Sequence, residues 1–181
     1  MKDQESFLFN ANLCVGCKSC EMACKNENST PVNVNWRRVS SLSTGNNLSI
    51  SCNHCESPEC FRVCPQKAFV KRRDGIVIIN ANRCDGCMIC LSACPYKAPQ
   101  FDLEKRKASK CTFCLPRREA GLPPACVSAC HTGALSIINL DHPPGETVPT
   151  IEGLPDIRLT KPSIRFRPIK QKSRYWINNH D

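Results

Sequence analysis

The sequence predicts an α+β fold of short strands, short helices and long loops, arranged as two similar units followed by an extended C-terminal arm. Three observations predict it. Sixteen of the 181 residues are Cys, and they fall into a fourfold repeat with no stragglers. Aromatic residues make up only 6% of the chain, so a thin apolar core has to be held together by something besides packing. The apolar runs beside the Cys groups are of strand length, the longest being Ile76 to Ile79.

Group one of the repeat is Cys14, Cys17, Cys20 and Cys24, and group two is Cys52, Cys55, Cys60 and Cys64. Group three is Cys84, Cys87, Cys90 and Cys94, and group four is Cys111, Cys114, Cys126 and Cys130. Every group opens CxxC and closes CxxxC; only the middle gap varies, two residues in groups one and three, four in group two and eleven in group four. A thiolate at every third residue lets a compact loop wrap three corners of an iron-sulfur cube, and Gly16 and Gly86 let the backbone approach it. The last Cys, about one helical turn further on, reaches the neighbouring cube, as in the bacterial C-x2-C-x2-C-x3-C-P run. Pro65 and Pro95 supply that trailing proline; Lys25 and His131 depart from it. Three thiols within seven residues crowd a single tetrahedral zinc, although group four alone has a zinc-compatible spacing. The first six residues, Met1 to Ser6, carry no secretory leader, which argues against a disulfide framework. Sixteen thiolates at four per cluster predict four [4Fe-4S] clusters.

In chain order, Phe7-Leu8-Phe9 is a strand entering group one. Residues 67–71 and 76–80 form a hairpin around Arg72-Arg73-Asp74-Gly75, with Asp-Gly as its turn signal. Residues 134–138 are a strand leaving group four. This alternation of strand, cluster loop, short helix and strand is ferredoxin-like, played twice. Groups two and three, joined by 19 residues holding one hairpin, read as an inner unit over 51–94; groups one and four then close around it as an outer unit over 1–50 and 95–141. A tandem pairing across linkers of 27 and 16 residues satisfies the same spacing. Residues 142–181 contain six of the fourteen prolines and no Cys. They read either as a solvated tail or as an arm docked on a larger partner through Ile164, Phe166, Tyr175 and Trp176. On the second reading, deleting 160–181 leaves the clusters intact and weakens assembly.

No window approaches the roughly 18 uninterrupted apolar residues of a membrane span. The formal charge of +9 does not indicate nucleic acid. Each oxidised site totals about −2, so four sites offset about eight of those charges. Lys71-Arg72-Arg73 reads as a solvated turn. His54 and His131 find every ligand place taken by Cys. Met22 and Met88 read as packing residues. Val15, Met88, Ile89 and Leu91 are expected to desolvate the cubes, and cations such as Lys18 and Arg62 to raise their potentials. With four one-electron centres and no nucleophile-base pair, phosphate loop or flavin motif, the chain reads as a wire with no catalysis of its own.

From Leu13 to Cys130, through Ser51-Cys52-Asn53-His54-Cys55, Ala93-Cys94-Pro95-Tyr96 and Lys110-Cys111, and on into Thr160-Lys161-Pro162-Ser163-Ile164, the chain resembles the four-cluster iron-sulfur subunit of the dimethyl sulfoxide reductase family of molybdenum respiratory enzymes. That resemblance implies the nested pairing. Cluster 1 would be held by Cys14, Cys17, Cys20 and Cys130, and cluster 2 by Cys24, Cys111, Cys114 and Cys126. Cluster 3 would be held by Cys52, Cys55, Cys60 and Cys94, and cluster 4 by Cys64, Cys84, Cys87 and Cys90. In the nitrate reductase branch a tryptophan stands where this chain has Cys87, so four cubanes are implied here. The resemblance also implies a molybdopterin-containing catalytic subunit next to the group one and four pair, and an integral membrane quinol-oxidising anchor next to the other. Membrane association would then come only through partners, on either face. A soluble polyferredoxin serving a hydrogenase or formate dehydrogenase is the alternative.

Overall fold

The computed structural model describes residues 4–170. The chain runs β1 (Glu5–Phe9), α1 (Ser19–Glu27), the hairpin β2 (Arg38–Ser41) and β3 (Asn47–Ile50), then α2 (Glu59–Arg62). The hairpin β4 (Phe69–Lys71) and β5 (Val77–Ile79) follows, then α3 (Ile89–Ala93) and the hairpin β6 (Gln100–Asp102) and β7 (Lys107–Ser109). Beyond these come α4 (Leu115–Glu119), α5 (Ala125–Ser128), β8 (Leu135–Asn139), a 3-10 turn at Ile157–Leu159 and β9 (Arg165–Phe166). No helix among the described residues is long and apolar enough to cross a membrane.

The α+β class is as predicted, and the repeat is visible in the backbone. The third residue of each CxxC loop is left-handed: Gly16 (φ 72°), His54 (φ 44°), Gly86 (φ 81°) and Phe113 (φ 61°). That conformation turns the loop back on itself and costs little only for glycine. Two repeats therefore use glycine, while His54 and Phe113 accept about 1–2 kcal/mol each of backbone strain in exchange for a side chain. Those two side chains meet edge to face at 5.5 Å, both buried, and Phe113 also packs on Phe7 at 4.5 Å. The repeats without glycine thus fill the joint between groups two and four.

Proline bounds the helices of groups two and three, although α5, with His131 in that place, is four residues long without it. Pro65 and Pro95, just after Cys64 and Cys94, cannot continue a helix. So α2 and α3 stop at four and five residues, while α1, with Lys25 in that place, runs on to nine.

β1 pairs antiparallel with β8, Phe7 opposite Ile137, and α1 packs on α5, which joins the first and last groups. α2 packs on α3, and β4 pairs with β5 across the Asp74-Gly75 turn as predicted. The hairpins β2–β3 and β6–β7 were not anticipated. Their sequences, such as Arg38-Val39-Ser40-Ser41, show no apolar alternation, and no residue of β2 is fully buried.

The C-terminal arm is where the expectation changes. β9 adds to β1 in parallel, Phe9 opposite Phe166, making a three-stranded sheet. Ile164 and Phe166 are 2% and 1% exposed and sit in the main core with Phe7, Phe9, Leu135 and Phe113. They are core residues of this chain, not contacts offered to a partner. The alternation Ile164-Arg165-Phe166-Arg167 is that of a strand with one face buried in its own protein. Tyr175 and Trp176 lie outside the described residues.

Candidate iron-sulfur centres

All sixteen thiols are free of disulfides. The environments of four of them show which thiols lie near one another. Burial and then the thiols of Cys130 and Cys17 push Cys14 up. Burial, Cys126 and Cys114 push Cys24 up to about 12. Burial and the thiols of Cys52, Cys94 and Cys55 raise Cys60 strongly. Burial, Cys84, Cys87 and Cys64 push Cys90 up to about 12. Each of these four thiols has a neighbour from another group: Cys130 for Cys14, Cys126 for Cys24, Cys94 for Cys60 and Cys64 for Cys90. Crowded, desolvated thiols that resist ionisation are what a cationic metal-sulfur core stabilises as thiolates.

The backbone is directed at the same sulfurs. Ala68 N–H donates to Cys64 Sγ and Ala98 N–H to Cys94 Sγ, each at 3.4 Å, and Leu135 N–H to Cys130 Sγ at 3.3 Å. These are the fourth Cys of groups two, three and four. A left-handed residue one or two positions before each donor, Lys67, Lys97 or Gly133, turns the chain back toward the sulfur. Phe113 N–H reaches Cys111 Sγ at 3.3 Å. Such N–H···S bonds favour negative charge on the sulfur. Cys52, Cys55, Cys60 and Cys94 together line one small cavity. The all-thiol donor sets, their desolvation and these N–H groups fit [4Fe-4S] clusters.

Exposure distinguishes the ends from the middle. Cys17 and Cys87, the second Cys of groups one and three, are exposed; Cys111, Cys126, Cys52 and Cys60 are buried. Val15 and Met22 flank Cys17, and Met88 and Ile89 flank Cys87, all about half or more exposed. Met22 and Met88 therefore lie at the surface and not in the core.

The charges that matter differ from those singled out in the sequence. Lys18 is exposed, and the Arg62 side chain is 79% exposed and paired with Glu59 at 2.7 Å, so water and Glu59 screen them. Arg37 is 1% exposed. Its guanidinium donates to Ser49 Oγ at 3.1 Å and Ser51 Oγ at 3.0 Å and stacks 4.5 Å over the Phe7 ring. Burial works against its charge, but the thiols of Cys126, Cys111, Cys20 and Cys24 outweigh burial and hold the guanidinium above its ordinary value. Ser49 Oγ also lies 3.3 Å from Cys20 Sγ. Lys110, 3% exposed, donates to the Val77 and Cys111 carbonyls and favours the thiolate of Cys60. Desolvation and then Lys110 hold His54 well below its usual range, so it is a neutral imidazole whose Nδ1 accepts Val77 N–H at 3.1 Å. His54 is joint packing, and His131 is exposed. The only sequence signal for Arg37 was an Arg pair in a polar linker.

Gly86 has no room for a side chain: a Cβ there would lie 2.4 Å from the Arg106 carbonyl oxygen, at φ 81°. Gly86→Ala is expected to lose the centre that its own loop of Cys84, Cys87 and Cys90 would hold while the others stay loaded, measured as a drop of about four iron per chain. Gly16→Ala meets only the movable Asn47 side chain at 3.0 Å and should be milder.

The fold and its thiols define a ferredoxin-like iron-sulfur protein, and residues 44–140 match the 4Fe-4S dicluster domain family. The sequence is 38% identical to the B subunit of anaerobic dimethyl sulfoxide reductase from Haemophilus influenzae, covering 93% of this chain and 91% of that one. It is 34% identical to the B subunit of polysulfide reductase from Wolinella succinogenes over 94% and 97%. It is also 43% identical to the B subunit of tetrathionate reductase from Salmonella typhimurium over 76% and 59%. The protein belongs to the family of iron-sulfur subunits of dimethyl sulfoxide reductase type.

Proposed function

We propose that the chain is the electron-transfer subunit of an anaerobic respiratory reductase, relaying electrons through four [4Fe-4S] clusters from a quinol-oxidising membrane anchor to a molybdopterin-containing catalytic subunit. The observation that carries it is that sixteen free thiols stand in four repeats and that thiols of different repeats lie side by side, Cys14 by Cys130, Cys24 by Cys126 and Cys114, Cys60 by Cys94 and Cys90 by Cys64. These neighbours support the nested ligand assignment: Cys14, Cys17, Cys20 and Cys130; Cys24, Cys111, Cys114 and Cys126; Cys52, Cys55, Cys60 and Cys94; Cys64, Cys84, Cys87 and Cys90. When bound, each cluster supplies a one-electron centre.

The chain's own residues hold and tune those centres. The thiolates ligate, the N–H groups of Ala68, Ala98 and Leu135 stabilise charge on ligand sulfurs, and Arg37 and Lys110 offset it in the interior. The exposed apolar residues beside Cys17 and Cys87 support a partner at each end, and Tyr175 and Trp176 are proposed as further partner contacts. Membrane association comes through those partners.

Protein produced without oxygen is expected to carry about sixteen iron and sixteen acid-labile sulfide, and to show four reducible centres in an electron paramagnetic resonance titration. About eight iron, or bound zinc, would overturn the four-cluster reading. Co-purification of a molybdopterin protein supports the relay, and a hydrogenase in its place would overturn it.

A further inference from the structure

Beside the cavity bounded by Cys52, Cys55, Cys60 and Cys94 lie buried polar side chains that make no hydrogen bond of good geometry among the described residues. Asn53, Tyr96 and Thr160 line it together with the four thiols. Tyr96 Oη, Thr160 Oγ1 and both polar atoms of the Asn53 side chain are buried without a partner. Buried polar groups are almost always bonded, so the donors among them, the hydroxyls of Tyr96 and Thr160 and the amide N–H groups of Asn53, point to a guest that accepts.

Thr160 stands out because it is brought from far away in sequence. Residues 160–163 are laced onto the group two loop: Ser57 N–H donates to the Thr160 carbonyl at 3.1 Å, and Glu56 N–H to the Lys161 carbonyl at 2.8 Å. Ser163 N–H donates to the Asn53 carbonyl at 3.1 Å, and Ser163 Oγ to the His54 carbonyl at 2.9 Å. This lacing leaves Thr160 2% exposed beside Cys55 and Tyr96. A hydroxyl carries one proton, and a thiolate only accepts, so with Cys55 ligated the Thr160 proton has an anionic acceptor within its reach.

We infer that Thr160 is the hydrogen-bond donor which the C-terminal segment contributes to the cluster held by Cys52, Cys55, Cys60 and Cys94, its hydroxyl directed at the Cys55 thiolate. This rests on the reading that these four thiols hold a cluster. The bond strengthens as negative charge accumulates on reduction, so it raises that cluster's reduction potential. Thr160 is a positioning and tuning residue, and docking of the C-terminal segment becomes part of how this centre is set.

The test uses the full-length protein with Thr160→Val, which keeps the shape and removes the hydroxyl, and Thr160→Ser, which keeps the hydroxyl. Iron and sulfide are counted, and midpoints are read in a redox titration followed by electron paramagnetic resonance. Thr160→Val is expected to retain its iron and to shift one midpoint negative by about tenfold in the reduction equilibrium, about 59 mV for one electron. Thr160→Ser is expected to restore it. Loss of one cluster from Thr160→Val, with retention in Thr160→Ser, also supports the inference. Unmoved midpoints in fully loaded Thr160→Val overturn it, as does an equal shift or equal iron loss in both variants, which would mean packing alone. A wild-type protein lacking one four-iron centre would instead overturn the reading of the site, and the inference with it.

Discussion

Replacing Arg37 with glutamine is expected to lower the reduction potential of the centre proposed at Cys24, Cys111, Cys114 and Cys126 by roughly 120 mV. The size follows from charge and burial. A unit charge about 6 Å from a site, at an effective dielectric of about 20, contributes roughly 3 kcal/mol. That is about two factors of ten in a one-electron equilibrium, each about 59 mV. The sign follows from reduction adding negative charge, which a nearby cation stabilises. Arg37 makes no ion pair with a carboxylate among the described residues; the negative groups that face it are the thiols of Cys126, Cys111, Cys20 and Cys24. The centre completed by Cys20 is expected to shift in the same direction by less.

The measurement is a redox titration of the loaded protein, with two companions. Arg37→Lys keeps the charge and should stay near the wild-type midpoint. Lys18→Gln removes an exposed cation, which water and salt already screen, and should move nothing. If Lys18→Gln shifts a midpoint as far as Arg37→Gln does, surface charge rather than the buried guanidinium sets the potentials. The structure also refines the meaning of the +9 formal charge. Part of the excess sits inside the fold, at Arg37 and Lys110, where each charge acts at high effect.

How much of this was legible in the sequence depends on how locally each feature is encoded. The Cys groups, the β4–β5 hairpin and the strands at Phe7 and Leu135 were legible, because ligand spacing, an Asp-Gly turn and short apolar runs are local signals. Which groups pair was not, since 19, 27 and 16 residues can each bridge two loops; the packing of α1 on α5 and of β1 on β8 comes from long-range burial. His54 was read as a non-ligand, and nothing in the sequence singled out Phe113. Their equivalence to Gly16 and Gly86 needs the repeat to be aligned on backbone conformation as well as on Cys. Arg37 was missed because a buried cation whose partners are thiols far along the sequence leaves no trace in a local window. For Ile164 and Phe166 the alternation was read correctly as extended chain, but the surface it covers belongs to this protein.

That last correction reverses an expected outcome. Deleting residues 160–181 is expected to unfold the protein or empty at least the centre at Cys52, Cys55, Cys60 and Cys94, instead of leaving cluster content intact. The deletion strips β9 from β1, removing the bond from Arg167 N–H to the Phe9 carbonyl at 3.0 Å, and uncovers the core. Burial of Ile164 and Phe166 contributes about 3–6 kcal/mol between them, against a total stability of about 5–15 kcal/mol for a domain. The bonds from Ser57, Glu56 and Ser163 that hold the group two loop go with it. Deleting only 171–181 leaves all of these in place. That shorter truncation should retain about sixteen iron, and it tests Tyr175 and Trp176 as partner contacts through weakened association with the catalytic subunit. Iron content and thermal melting of the two truncations, measured side by side, decide the matter. If the longer deletion melts and loads like the shorter one, the arm is not part of the core, and the buried positions of Ile164 and Phe166 contribute nothing to holding the fold together.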